Sequence, residues 1–281
     1  MGWMKRYYGL WVVLAILGVT MVGWTKGSQT NNRTQTPTFF LHGYGSSYRA
    51  ELFFVRKAKQ AGVTDSVVRA NVLPTGKVLL QHSATWRRNS RNPIVEVDFV
   101  DNRDRNYHQD ADWLADVLHR LQRKYHFHKY NVVAHSMGNL DLMYYLLGDK
   151  RLSGLKLKHQ VDIAGPFDGS NIDGYSFLNN RLQKNGLPTR LSFFYHYFLT
   201  HRDHYSFDQT RVMNIYGNLN NGSNSDGRVS TVSARSLKYL LQHRAKSYQQ
   251  IKISGASAQH SQLHHNLKVS RLINQFLWKA S

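Results

Sequence analysis

The sequence predicts an α/β chain with a mostly parallel central sheet, helices on both faces and an insertion after one strand. Three observations carry that expectation. Short apolar runs alternate with stretches of helical periodicity along most of residues 38–278. The apolar run 129–134 ends in Ala134-His135-Ser136-Met137-Gly138, and helical spacing restarts with Leu140, Met143, Tyr144 and Leu147. About 45 residues between two later strand-like runs break the rhythm, at a place where parallel sheets carry lids and binding loops.

Composition bounds the rest. The 281 residues include no cysteine, so a disulfide framework, a thiolate metal site and a lipoprotein anchor are unavailable. No internal repeat or long linker argues for a split, which makes one large domain the expectation. The net charge of +20 attracts polyanions: nucleic acid, anionic lipid head groups or an anionic cell-wall polymer. Basic residues are scattered, without a long Lys/Arg run or a nucleic-acid-binding motif, so no nucleic-acid partner is expected.

Residues 1–27 read as an export signal: Lys5 and Arg6 precede an apolar stretch at 7–24, and Lys26-Gly27-Ser28 opens a polar segment. At about 18 residues the stretch just reaches spanning length. No Ala-x-Ala site follows it, which favours an uncleaved signal anchor over a cleaved peptide. Trp3, Tyr7, Tyr8 and Trp24 would then sit at the two interfaces, with the N-terminus held in the cytoplasm by Lys5 and Arg6. Either way the remainder is extracytoplasmic, membrane-anchored or secreted. Residues 28–37 are a polar tether. The folded domain is expected over 38–281.

Taken in order, residues 38–41 form a strand that runs into His42-Gly43-Tyr44-Gly45-Ser46-Ser47. A glycine-bearing loop at a strand's end lets backbone N–H groups approach a bound anion. Alone it is a turn; beside Ser136 it reads as half of an oxyanion hole, with the N–H groups of Tyr44 and Met137 as donors. Residues 51–60 form a helix ending at Gly62, and 67–73 with 77–81 flank Pro74-Thr75-Gly76 as a hairpin. Residues 94–100 are a strand, 101–105 a charged and solvated turn, and 109–125 an amphipathic helix carrying Trp113, Leu114, Val117, Leu118 and Leu121 on one face.

Around Ser136 the small neighbours Ala134 and Gly138 suit a sharp strand-to-helix turn, where the two backbones pass close together. The bland alternative is a helix-capping serine. Residues 160–164 form the next strand and 212–216 the one after. Between them, at about 167–210, lie Tyr175, Phe177, Phe193, Phe194, Tyr195, Tyr197, Phe198 and Tyr205, followed by Phe207. This insertion reads as a cap whose aromatics suggest a lipid-like acyl substrate, or else as a helical decoration with its own aromatic core. His196, His201 and His204 include helical spacings, but no carboxylate cluster accompanies them, so no metal site is expected. Residues 217–224 deliver Ser225-Asp226-Gly227, where the carboxylate is placed to orient an imidazole and the Asp-Gly pair alone is a turn signal. A helix at 231–242, a strand at 248–254, a histidine-bearing loop at 258–266 and a helix at 267–278 complete the chain.

A serine hydroxyl needs a base within hydrogen-bond reach and a third group to orient that base. Ser136, Asp226 and His260 each fall past a strand, on the edge where a parallel sheet gathers such positions. Their order is the one found in α/β-hydrolases. The chain resembles that superfamily, and within it the cell-surface hydrolases of Gram-positive bacteria. The stretches that carry the likeness are HGYGSS at 42–47, DNR at 101–103, AHSMGN at 134–139, AGPFDG at 164–169, SDGRVS at 225–230, and AQHSQLHHN at 258–266 before a helix ending in FLW. Two departures stand out: relatives more often have glycine at the position of Ala134, and glutamate at that of His265. The resemblance implies an α/β-hydrolase fold and a serine hydrolase acting on an ester or related acyl bond, without a cofactor. Ser136 would be its nucleophile, Asp226 its acid and His260 its base, with His264 the alternative base. Two rivals use the same scaffold: a non-catalytic surface protein holding anionic wall polymer or lipid, and an acyltransferase or amidase.

Overall fold

The computed structural model describes residues 35–149, 154–174, 179–205 and 207–278. The export signal at 1–27 and most of the tether lie outside these residues. Among the described residues, no helix is long and apolar enough to cross a membrane.

In chain order the elements are β1 (Thr38–Leu41), α1 (Leu52–Gln60), β2 (Val67–Val72), β3 (Val78–Gln81), β4 (Ile94–Phe99), α2 (Tyr107–Tyr125), β5 (Lys129–His135) and α3 (Gly138–Leu147). They continue with β6 (Lys156–Ile163), α4 (Phe193–His201), β7 (Phe207–Asn218), α5 (Thr231–Arg235), α6 (Leu237–Leu241), β8 (Ala245–Ser254) and α7 (Leu267–Trp278). The strands form one sheet in the order β3-β2-β4-β1-β5-β6-β7-β8. Only the β2–β3 hairpin is antiparallel. This is the α/β-hydrolase architecture that the motifs imply.

Alternate residues of the central strands feed two apolar layers. Phe39, Leu41, Val132 and Ala134 pack with Leu114, Leu118 and Leu121 of α2 and Met143 of α3. Phe40, Val133, Val161 and Ile163 pack on the other face with Phe54 and Ala58 of α1 and Val269 and Ile273 of α7. From Tyr130 to His135 every residue of β5 is buried, as in a strand covered on both faces. The chain therefore leaves the sheet at Ser136 from a strand enclosed on both faces.

Three features differ from the sequence expectation. β6, β7 and β8 start several residues early; in β6, exposed Lys156 and Lys158 alternate with buried Leu157 and His159. The helix expected at 231–242 is two short helices. At the break, Ser236 N–H is shared between the carbonyls of Val232 and Ser233, and the Ser236 carbonyl accepts the hydroxyl of Tyr195 at 3.0 Å. The insertion's aromatics are used for packing. Tyr195, Phe198 and Tyr205 are fully buried, Tyr197 stacks on Tyr144 of α3 at 4.5 Å, and Phe194 meets Tyr107 of α2 edge-on. Phe193 alone of the α4 aromatics is largely exposed, while Tyr175 and Phe177 lie outside the described residues. Docking of α4 on α2 and α3 accounts for these rings, so they no longer argue for an apolar substrate.

Asp168 anchors the insertion at its root: its carboxylate accepts Ser192 N–H at 2.7 Å and Asn180 Nδ2 at 2.9 Å. Of the insertion histidines, His201 and His204 give their Nδ1–H to the carbonyls of Tyr197 and Leu147.

Burial leaves several carboxyls protonated. Among the described residues, Asp110 of α2 and Asp141 of α3 reach no cation; burial first, and then neighbouring acidic charge, pushes Asp110 up to about 7 and Asp141 well above the usual range. Burial likewise raises Glu51 to about 8. The folded chain keeps these protons up to about pH 7–8, whereas the unfolded chain releases them near pH 4. The folded state thus binds more protons across that window, and its stability falls as pH rises, by up to about 1.4 kcal/mol per pH unit for each such carboxyl. Thermal unfolding is expected to show a lower Tm at pH 8 than at pH 5, and Asp141→Asn to shrink the difference. An equal difference in the variant would remove Asp141 from this account.

Candidate active site

At the end of β5 the backbone turns sharply, with Ser136 at φ +53°, a left-handed conformation that a side chain rarely adopts. Its neighbours hold it there. Ser136 N–H donates to the Ile163 carbonyl at 3.0 Å, and the Ser136 carbonyl accepts both Asn139 N–H at 3.0 Å and Asn139 Nδ2 at 2.9 Å. A Cβ at Gly138 would lie 2.8 Å from the carbonyl oxygens of Leu41 and His42, so only glycine lets α3 start this close to the end of β1. Ala134, where relatives more often have glycine, is buried within β5 and its methyl packs into the core.

The loops after β7 and β8 meet this turn. His260 Nε2 lies 2.8 Å from Ser136 Oγ, and His260 Nδ1 lies 2.8 Å from Asp226 Oδ2. The other carboxylate oxygen of Asp226 accepts the N–H groups of Arg228 at 2.9 Å and Val229 at 2.7 Å, which pins the carboxylate. His260 N–H also donates to the Asp226 carbonyl at 2.8 Å. An acceptor at Nδ1 demands the Nδ1–H tautomer and leaves the Nε2 lone pair facing the serine hydroxyl. All three side chains are buried.

The structure brings His260, not His264, to Ser136. The His264 ring lies against His135 at 4.9 Å, and burial first, then His265 and His260, pushes it down to about 4. His135 itself was not singled out from the sequence. Its Nε2–H donates to the His260 carbonyl at 3.2 Å, tying the residue before the serine to the backbone of His260. Burial holds His135 well below its ordinary value, so it remains a neutral brace.

The loop after β1 is held as closely. His42 is buried and neutral: Nε2 accepts Phe99 N–H at 3.1 Å, which leaves Nδ1–H to donate to the Gly43 carbonyl at 3.0 Å. With that carbonyl turned toward His42, the Tyr44 N–H on the same trans peptide points the opposite way. A Cβ at Gly43 would stand 2.8 Å from Ser136 Cβ, so the Gly43–Tyr44 peptide lies directly against the serine. Neither Tyr44 N–H nor Met137 N–H is taken by another described group.

The turn at 101–105, expected to be merely solvated, has a structural part to play. Asn102 accepts Gly45 N–H at 2.7 Å and donates through Nδ2 to the Ser46 carbonyl at 2.6 Å, clasping the glycine loop, while the Arg105 guanidinium lies 5.1 Å over the Tyr44 ring. The DNR motif was legible, but its task was not. Among the described residues no group of three or more His, Asp or Glu side chains could hold a metal ion.

The sequence profile of the family described as alpha/beta hydrolase of unknown function (DUF915) matches residues 25–280. The chain belongs to this family. Among solved structures, the lin2722 product of Listeria innocua is similar, at 22% identity and a TM-score of 0.74, over 88% of this chain and 95% of that one. A protein of Lactobacillus plantarum WCFS1, provisionally named a cell surface hydrolase, aligns at 22% identity and a TM-score of 0.67 over 87% of this chain and 92% of that one. The mature lipase BlEst2 of Bacillus licheniformis aligns at 12% identity and a TM-score of 0.53, over 87% and 92%. At these identities the likeness is one of fold. No curated protein matches the chain. The alpha/beta hydrolase family, and a neighbour named as a cell surface hydrolase, are those to which the sequence motifs pointed.

Proposed function

We propose that this protein is an extracytoplasmic serine hydrolase that cleaves an ester or related acyl bond. The observation that carries the reading is the relay of two 2.8 Å contacts, Ser136 Oγ to His260 Nε2 and His260 Nδ1 to Asp226 Oδ2. Family membership supports hydrolytic chemistry. The extracytoplasmic part rests on Lys5, Arg6 and the apolar stretch at 7–24.

In the first half-reaction Ser136 Oγ attacks the carbonyl carbon as its proton passes to His260 Nε2. Asp226 holds the imidazolium that forms. Negative charge develops on the former carbonyl oxygen, where the untaken N–H groups of Tyr44 and Met137 are available as donors. The tetrahedral intermediate collapses by breaking the bond to the leaving alcohol, which takes the proton from Nε2 and leaves an acyl group on Oγ. Water, deprotonated by His260, then attacks the acyl carbon, and Oγ recovers its proton as the acid departs.

Hydrolysis of a panel of p-nitrophenyl esters of increasing chain length tests the reading. Measurable turnover is expected, and Gly43→Ala is expected to lower it by about 100-fold, the typical effect of losing one oxyanion donor. A folded Gly43→Ala variant with wild-type turnover would contradict the assignment of the Tyr44 N–H.

A further inference from the structure

A cavity separate from the Ser136 turn lies beside the Asp226 turn. It encloses about 640 Å³ between the insertion and the loop and helix that follow β7, and neither Ser136 nor His260 lines it. Five cationic side chains do: Arg181, Lys184, Arg228, Arg235 and Lys238. No Asp or Glu is among the lining residues. The acids closest in sequence are already engaged. Asp226 is held by His260 and two backbone N–H groups, Asp173 caps its own turn through Ser170, and Asp168 holds Ser192 and Asn180. Among the described residues, none of the five cations makes an ion pair.

Five like charges around one small space repel one another, and an anionic ligand relieves that repulsion. Guanidinium forks bind carboxylate and phosphate oxygens alike two at a time, but a phosphate keeps further oxygens for Lys184 and Lys238, which favours phosphate over a single carboxylate. The rest of the wall is almost wholly amide, hydroxyl and backbone, with Leu182 and Val232 the only aliphatic side chains. A hydrocarbon chain would leave those polar groups unpaired, whereas a hydroxyl-bearing one would satisfy them. We propose that this cavity binds the phosphate group of a phosphorylated polyol. Its ligand is either a soluble or polymer-borne phosphate ester or the head group of a phosphoglycerol lipid, and the overall charge of +20 draws all of these to the surface. The proposal does not depend on the catalytic reading.

The test is calorimetric titration of the full-length Ser136→Ala protein, in which turnover cannot intrude. The protein is reconstituted in phosphatidylcholine nanodiscs, and the probes are sn-glycerol 3-phosphate, glycerol and succinate at matched ionic strength. Glycerol 3-phosphate is expected to bind on the order of tenfold more tightly than the dicarboxylate, and glycerol not to bind. The triple variant Arg181→Gln/Lys184→Gln/Lys238→Gln, with an unchanged unfolding midpoint, is expected to weaken glycerol 3-phosphate by tenfold or more. Adding phosphatidylglycerol to the discs separates the sources. A raised apparent Kd for glycerol 3-phosphate assigns the site to the lipid head group, and an unchanged Kd to a soluble or polymer-borne ester. No binding of glycerol 3-phosphate, equal binding of succinate, or full binding by the folded triple variant would overturn the proposal.

Discussion

Ser136→Ala is expected to lower kcat on an activated ester by a factor of about 10⁴ to 10⁶, with KM changing far less. The loss is large because the other parts of the site act on the serine oxygen and have little to do without it. His260 keeps its tautomer through Asp226, and the Tyr44 and Met137 N–H groups keep their places, but no atom remains at 2.8 Å from Nε2 to be deprotonated. The fold is expected to survive, since alanine retains the Cβ that packs against Gly43 and the backbone bonds to Ile163 and Asn139 do not involve the hydroxyl. Circular dichroism and the unfolding midpoint check that the lost turnover is not lost structure. Activity within tenfold of wild type in a folded Ser136→Ala protein would remove Ser136 from the chemistry.

The second large effect separates two histidines four residues apart. His260→Ala is expected to reduce kcat about as far as Ser136→Ala, and the double variant to lose little more than either single one, because residues acting as a unit are not additive. His264→Ala is expected to cost less than about tenfold, since its ring rests on His135, which in turn bonds the His260 carbonyl, and not on Ser136. Steady-state kinetics of the four proteins on one ester decide between them. If His264→Ala were the more damaging substitution, the base would have been assigned to the wrong side chain.

The central sheet was legible because its inner strands are covered on both faces and read as short apolar runs, as in Val132 to Ala134. The outer starts of β6 to β8 were not, since Lys156 and Lys158 look like loop residues until their alternation with buried Leu157 and His159 is seen in place. The break at Ser236 depends on Tyr195, 41 residues earlier, and no local pattern announces it. Ser136, Asp226 and His260 could be named because each follows a strand in a sheet whose strand ends converge. The residues that hold them could not: His135 reaches a carbonyl 125 residues away, and His42 accepts an N–H 57 residues away. In the sequence each histidine looks like an ordinary neighbour of a motif. The aromatic insertion misled for a related reason, since rings that dock a helix on α2 and α3 have the same composition as rings that line a cleft.

The most direct test of the central claim is covalent labelling of the purified full-length protein with a fluorophosphonate, read by intact mass and by peptide mapping. An activated serine attacks such a probe and an ordinary one does not. The account predicts a single adduct on Ser136, absent in Ser136→Ala, lost or greatly slowed in His260→Ala and retained in His264→Ala. A well-folded wild-type protein that takes up no label, or takes it up at another residue, would contradict it.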